Sequence, residues 1–218
     1  MTVSIIVPVR DGERYLAAAL QSLLDQEHPP DELIVADDGS ADASAAIAAA
    51  HGARVLRLPG PGPAAARNAG VQAATGELIG FLDADDLAHP QRLALQADAL
   101  TDPAFDAVIG HVQNFLTPER AAALHGRVAF AGGPLPGWHV GALLMRRAAF
   151  TPFDESLQGG ETVEWLSRLA PSRVRVLDEI VLLRRVHGDN TTLRDPSWQA
   201  SYLEVARRAI ARSRETPA

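Results

Sequence analysis

The chain carries an apolar run, Leu78-Ile79-Gly80-Phe81-Leu82, that breaks into three carboxylates within four residues, Asp83-Ala84-Asp85-Asp86. In an extended backbone Asp83 and Asp85 project to one side, where they can share a hard divalent cation or a nucleotide. The same residues also suit a solvated turn leading into a helix, with Asp86 near the helix start. A second apolar run, Glu32-Leu33-Ile34-Val35-Ala36, ends alike in Asp37-Asp38-Gly39-Ser40. Its acids either accept from a ligand N–H or shape an Asx turn.

Stepping outward from these acids, the flanking runs are strands. The run after Glu77 is a short buried strand, so its acids sit at the carboxyl end, the edge where open α/β sheets bind ligands. Val3 to Val9 is a continuous apolar run expected of a parallel strand covered on both faces, with Pro8 marking its end. Tyr15, Leu16, Ala19, Leu20, Leu23 and Leu24 then recur at helical spacing. Residues 42–50 predict an alanine-rich helix, 53–58 a third strand and 64–74 a helix carrying Arg67 and Asn68. A helix over 90–100 and a strand near 106–110 follow. Such alternation implies βαβ units and a parallel sheet.

Residues 117–140 lose periodicity and read as an excursion over the sheet, with a short helix near 119–124. Order resumes at Gly141. A helix over 161–169 places Glu161, Glu164 and Trp165 on neighbouring ridges, and a strand over 178–186 leads into His187. A terminal amphipathic helix over about 198–212 either caps the core or makes a peripheral membrane contact.

With 218 residues and 47% hydrophobic content, the chain suffices for one sizeable core. The formal charge of −7 and the pI near 5.5 argue against a nucleic-acid binder. The absence of cysteine excludes disulfides, thiolate zinc and cysteine nucleophiles, and fits a cytoplasmic setting. No signal peptide or membrane-spanning run is visible.

Five elements fall in one order: the Val3 to Val9 run, Asp37-Asp38-Gly39-Ser40, Ala66-Arg67-Asn68-Ala69-Gly70, Phe81 through Asp86, and Arg185-Val186-His187-Gly188-Asp189-Asn190. Together they resemble the family 2 glycosyltransferases, enzymes of the GT-A fold. The resemblance implies an α/β fold, a mostly parallel sheet flanked by helices, in a single domain over 1–218. Its nucleotide-binding part spans about 1–110, its acceptor side 111–195 and its C-terminal helix 196–214. It implies inverting transfer from a nucleotide-diphosphate sugar, a UDP-sugar, to an unknown glycan, lipid, peptide or small metabolite, with Mn²⁺ or Mg²⁺ as cofactor.

Carried over by residue, the resemblance puts Pro8, Val9, Arg10 and Asp38 around the nucleotide, with Arg67, Asp83, Ala84 and Asp85. Asp83 and Asp85 match the family's DxD motif, and the metal falls to Asp85 and His187. Arg67 either pairs with a phosphate or orients the acidic cluster through a salt bridge. The departure lies at the base: many relatives carry Glu-Asp before the tryptophan, whereas this chain has Glu161-Thr162-Val163-Glu164-Trp165. Thr162 cannot act as base, which leaves Glu161 or Glu164, with Trp165 as an acceptor platform. A noncatalytic nucleotide-sugar-binding protein and a nucleotidyltransferase are the alternatives. The latter normally shows a glycine-rich basic loop near the amino terminus, where this chain offers only Arg10.

Overall fold

The computed structural model describes residues 1–124, 135–157 and 159–187. The expected helix over 196–214, with its membrane-surface alternative, and Asn190 lie outside the described residues. So does much of the 117–140 excursion.

The amino-terminal half alternates as its apolar periodicity dictates. Strand β1 (Val3–Val9) leads to α1 (Glu13–Leu24), β2 (Glu32–Asp37) to α2 (Ser44–Ala50), and β3 (Arg54–Arg57) to α3 (Pro63–Ala73). Helix α1 buries Leu16, Ala19, Leu20 and Leu23 of the stripe expected from spacing, each leucine so removed from water contributing about 1.5–3 kcal/mol, whereas Tyr15 is half-buried and Leu24, at the helix end, is exposed. Strand β4 (Leu78–Phe81) is wholly buried. Pro8 is the penultimate residue of β1, at the end it is expected to mark; pairing with β4 stops at Ile6 opposite Phe81, so the missing N–H interrupts nothing there.

After β4 come β5 (Leu87–Ala88), α4 (Arg92–Ala99), β6 (Ala107–Leu116), α5 (Pro118–Leu124), β7 (Leu135–Pro136), β8 (Leu143–Arg146), α6 (Glu161–Leu166) and β9 (Val174–Val186). Among the described residues the sheet runs β3-β2-β1-β4-β8-β6-β9-β5, with β7 against β6. Its first four strands are parallel, as expected. Beyond β4 the sheet is mixed: β8 is antiparallel to both β4 and β6, and β5 to β9, while β6 and β9 are parallel. The parallel half thus ends where the aperiodic excursion sends the chain back reversed.

Core residues cover both faces of the sheet. On one face lies the aromatic group Phe81, Phe150, Phe153 and Trp165. Arg92 is fully buried and joins β4 to β8 by donating from Nη2 to the carbonyls of Phe81 and Leu143 at 3.0 and 3.1 Å. Burial lowers its pKa to about 10, which leaves it charged at neutral pH. The carbonyl ends of β4 are therefore pinned from behind, directly before the acidic turn. No helix among the described residues is long and apolar enough to cross a membrane.

Candidate active site

Strands β1, β2 and β4 end at one edge of the sheet, and their following turns interlock. The Asp38 backbone N–H donates to the Val9 carbonyl at 2.8 Å, and the Asp37 carboxylate accepts from the Ser40 N–H at 2.9 Å, closing the turn across three residues. Asp38 is buried, and its Oδ1 accepts from the Gly62 N–H at 2.9 Å, tying β2 to the start of α3. Asp11, in the left-handed region at φ 50°, accepts from the Ala41 N–H, while its own N–H donates to Ser40 Oγ. Pro8 is half-buried, Val9 is buried and Arg10 is exposed on the rim. These residues therefore form a braced sheet edge with Arg10 exposed on its rim.

In the acidic turn each carboxylate has a distinct surrounding. The Asp86 N–H closes the turn onto the Asp83 carbonyl at 3.0 Å. Asp85 Oδ2 lies 2.9 Å from His187 Nε2, and its carbonyl accepts from Arg185 Nε at 2.8 Å. The Arg185 guanidinium is sandwiched between the rings of Tyr15 and Phe115, 4.7 and 4.8 Å from their centres. Asp86 Oδ1 accepts from the Arg185 N–H at 2.8 Å. Burial, then the charges of Asp85 and Asp83, push the Asp86 carboxyl well above the usual range. No helix starts at Asp86, which enters β5 instead, so the solvated helix start is overturned by its burial.

The Ala66-Arg67-Asn68-Ala69-Gly70 motif proves to be a clamp. Arg67, buried on α3, donates from Nη2 to Asp83 Oδ1 at 3.0 Å and from Nη1 to Glu161 Oε1 at 2.9 Å. Its guanidinium joins the acidic turn to the start of α6, which is the salt bridge named above as one of its two roles. Asn68 bonds both the N–H and the carbonyl of Phe153, fixing the loop before α6. Gly70 lets α3 approach β1, since a Cβ there would stand 2.3 Å from Ile6 Cγ2. Burial works against the Asp83 charge, but Arg67 beside it holds the carboxyl below the usual carboxylate range, with Arg184 helping.

Glu161 is 2% exposed, and its Oε2 is buried with no hydrogen-bond partner among the described residues. Glu164 is also buried, with Arg168 Nε 3.3 Å from its Oε2. The expected Trp165 platform is corrected by the structure. Trp165 is fully buried among Phe81, Phe150 and Phe153 and donates its indole N–H to the Thr151 carbonyl at 2.6 Å. An acceptor cannot stack on a ring that is core.

One neighbour of the turn comes from the aperiodic stretch. His139 Nε2 lies 3.9 Å from Asp83 Oδ2, and ligand atoms of Asp83, Asp86 and His139 come within 4.8 Å of one another. Burial lowers the His139 pKa against the pull of Asp83.

The glycosyl transferase family 2 model matches residues 4–151. The chain belongs to glycosyl transferase family 2. An uncharacterized glycosyltransferase of Rickettsia conorii is 26% identical over 213 residues, covering 89% of this chain. This chain spans only 34% of that relative's length. S. aureus TarS in complex with UDP superposes with a TM-score of 0.73 at 22% identity, over 96% of this chain and 64% of that one. The mannosyltransferase PcManGT of Pyrobaculum calidifontis, in complex with GDP-Man and Mn²⁺, does so at 0.68 and 20% identity, over 99% and 65%. Likeness at such identities establishes the GT-A fold.

Against that family frame, the structure brings Asp83, Asp85, Arg67, Glu161 and His187 into one connected cluster, with Ala84 between the acids. The donor set fits a hard divalent ion: carboxylates crowd so closely that Asp86 resists ionising, a strain that a cation offsets. Asp85, about one-third exposed, and His187 are the pair already in contact. Sequence reasoning missed His139, which follows a Pro-Leu-Pro-Gly-Trp stretch without periodicity, and the roles of Arg185 and Tyr15. Nothing in local spacing announces contacts that join His139 to Asp83 or Arg185 to Tyr15, far apart along the chain.

Proposed function

We propose that this family 2 chain transfers a sugar from a UDP-sugar to a hydroxyl of an acceptor with inversion at the anomeric carbon. The single observation that carries this reading is the Arg67 bridge, which places the DxD acid Asp83 and the helix-start acid Glu161 on one guanidinium. A donor-side acid and an acceptor-side base are thereby held in fixed relation. Glu161 is the base: Arg67 holds Oε1, and Oε2, buried in this structure, takes the acceptor proton once the start of α6 shifts to open it to the acceptor. The acceptor oxygen then bonds to the anomeric carbon, while the bond to the diphosphate breaks and its electron pair leaves with the phosphate. Glu164, engaged by Arg168, is the weaker choice.

Pro8, Val9 and Asp38 form the nucleobase edge, with Arg10 on the rim. Asp38 Oδ1 is committed to Gly62, so its second oxygen is the acceptor for a pyrimidine N–H. Asp85 and His187 would hold Mn²⁺ or Mg²⁺, which when bound neutralises charge growing on the departing diphosphate. The mannosyltransferase likeness shows that this fold also accommodates a guanosine donor, so the pyrimidine rests on Asp38 and its neighbours. The acceptor is a hydroxyl compound, and the lack of cysteine suits a cytoplasmic setting.

The test is a panel of nucleotide sugars in thermal shift, with and without Mn²⁺. At a ligand concentration of about 100 times Kd, stabilisation is about 2.7 kcal/mol. The expected result is a manganese-dependent rise for UDP-sugars. With a transferred donor in hand, Glu161→Gln should keep that rise and lose about 10²- to 10⁴-fold in rate. No shift with any nucleotide overturns the proposal.

A further inference from the structure

His139 sits in the acidic cluster as a third ligand-bearing side chain, and its ring nitrogens are not equivalent. The Gly141 backbone N–H lies 3.1 Å from His139 Nδ1. A backbone N–H can only donate, so Nδ1 presents its lone pair and carries no proton. The ring is therefore neutral and its proton resides on Nε2. Gly141 is what permits this approach: a Cβ there would stand 3.0 Å from Nδ1 and 3.3 Å from Cε1. The bond caps the short 3₁₀ turn Val140–Ala142, which continues into β8 behind the acidic turn.

An imidazole that binds a metal through Nε2 must offer its lone pair there and carry its proton on Nδ1. Gly141 imposes the opposite arrangement. Proximity alone thus misleads for Asp83, Asp86 and His139, and the third group is a hydrogen-bond donor. Among the described residues that donor has no direct partner, since Asp83 Oδ2 at 3.9 Å is too far for a hydrogen bond. Asp83 Oδ1 is occupied by Arg67, which leaves Oδ2 as an acceptor facing the His139 N–H.

A fixed donor and a fixed acceptor 3.9 Å apart suit one oxygen placed about 2.8 Å from each. That oxygen must accept from Nε2–H and donate to the carboxylate. A hydroxyl does both; a phosphate oxygen cannot donate, and a metal ion cannot accept. The family resemblance already puts Asp83 near the ribose; we propose that His139 joins it in reading a hydroxyl of the bound donor, and that His139 is a specificity residue rather than a metal ligand. This rests on the donor-binding reading above. The hydroxyl belongs either to the ribose or to the transferred sugar.

The experiment is calorimetry at saturating Mn²⁺ with UDP, 2′-deoxy-UDP, 3′-deoxy-UDP, UDP-glucose, UDP-galactose and UDP-N-acetylglucosamine. His139→Asn is the informative variant, because its Oδ1 can still accept from the Gly141 N–H while the distal donor is withdrawn. His139→Ala removes both, and its apo melting temperature reports the cap alone. Losing one neutral hydrogen bond should weaken binding about 2- to 10-fold. A ribose hydroxyl is identified if His139→Asn weakens UDP but not one deoxy analogue. The transferred sugar is identified if UDP is unaffected and a UDP-sugar is weakened. Equal affinities of wild type and His139→Asn for every probe overturn the inference. So does a tenfold or greater rise in the Mn²⁺ needed for UDP binding, which would make His139 a ligand. If wild type binds none of the probes, the donor-binding reading fails and this inference fails with it.

Discussion

Replacing Arg67 by methionine keeps the length of the side chain and removes the charge that two carboxylates share. Arg67 and Glu161 side chains are 7% and 3% exposed, so the variant leaves Glu161 buried without its counter-ion, while Asp83, 27% exposed, retains some water. Breaking a buried pair costs about 3–5 kcal/mol. In a chain of this length that corresponds to a fall of about 6–20 °C in Tm. The loss should also depend on pH. In the wild type the folded Asp83 pKa is depressed below 3.8, so its contribution is present above that value and lost as pH falls through the folded one. Without Arg67, burial acts on Asp83 with its main counter-charge gone, and the folded pKa rises above the unfolded one. Protonation then favours the folded variant, so its deficit relative to wild type should narrow from pH 8 to pH 5. Urea denaturation at both pH values measures this, with Arg67→Lys recovering only part because an ammonium cannot fork between two acids. A Met variant within about 0.5 kcal/mol of wild type at pH 8, or a deficit that does not narrow, refutes the bridge as a structural and electrostatic device.

Three further outcomes follow from the same geometry. Asp85→Asn should abolish Mn²⁺-dependent UDP binding in calorimetry while leaving Tm within a few degrees, because this acid is about one-third exposed and packs little. Trp165→Phe should cost about 1–3 kcal/mol in chemical denaturation by orphaning the Thr151 carbonyl, with no separate effect on acceptor KM. Gly70→Ala should destabilise despite a helix-propensity gain of about 1 kcal/mol, since its Cβ would stand 2.3 Å from Ile6 Cγ2 and overpacking costs about 1–3 kcal/mol; an equal or higher Tm would show that α3 shifts freely.

The sequence by itself determined the parallel half of the sheet and the edge that carries the chemistry. Apolar runs in β1, β2 and β4, each followed by polar turns, specify buried strands because only that arrangement hides their side chains on both faces. The acids of Asp37 to Ser40 and Asp83 to Asp86 are legible for the same reason: they begin where burial ends. Arg67 was visible as a charged residue on a helix, with both of its roles open. Only the tertiary structure supplies the salt bridge, by bringing α6 from 94 residues away to share the Arg67 guanidinium with Asp83.

Trp165 shows the opposite failure, because an indole beside two glutamates reads equally as platform or core, and packing against Phe81, Phe150 and Phe153 makes it core. His139 had no sequence signal. Its function depends on which nitrogen faces a backbone N–H two residues on and which faces an acid 56 residues earlier, a distinction that arises from the folded backbone at Gly141. Local periodicity encodes what must leave water; the partners of a polar group are chosen by chain crossings that periodicity does not record.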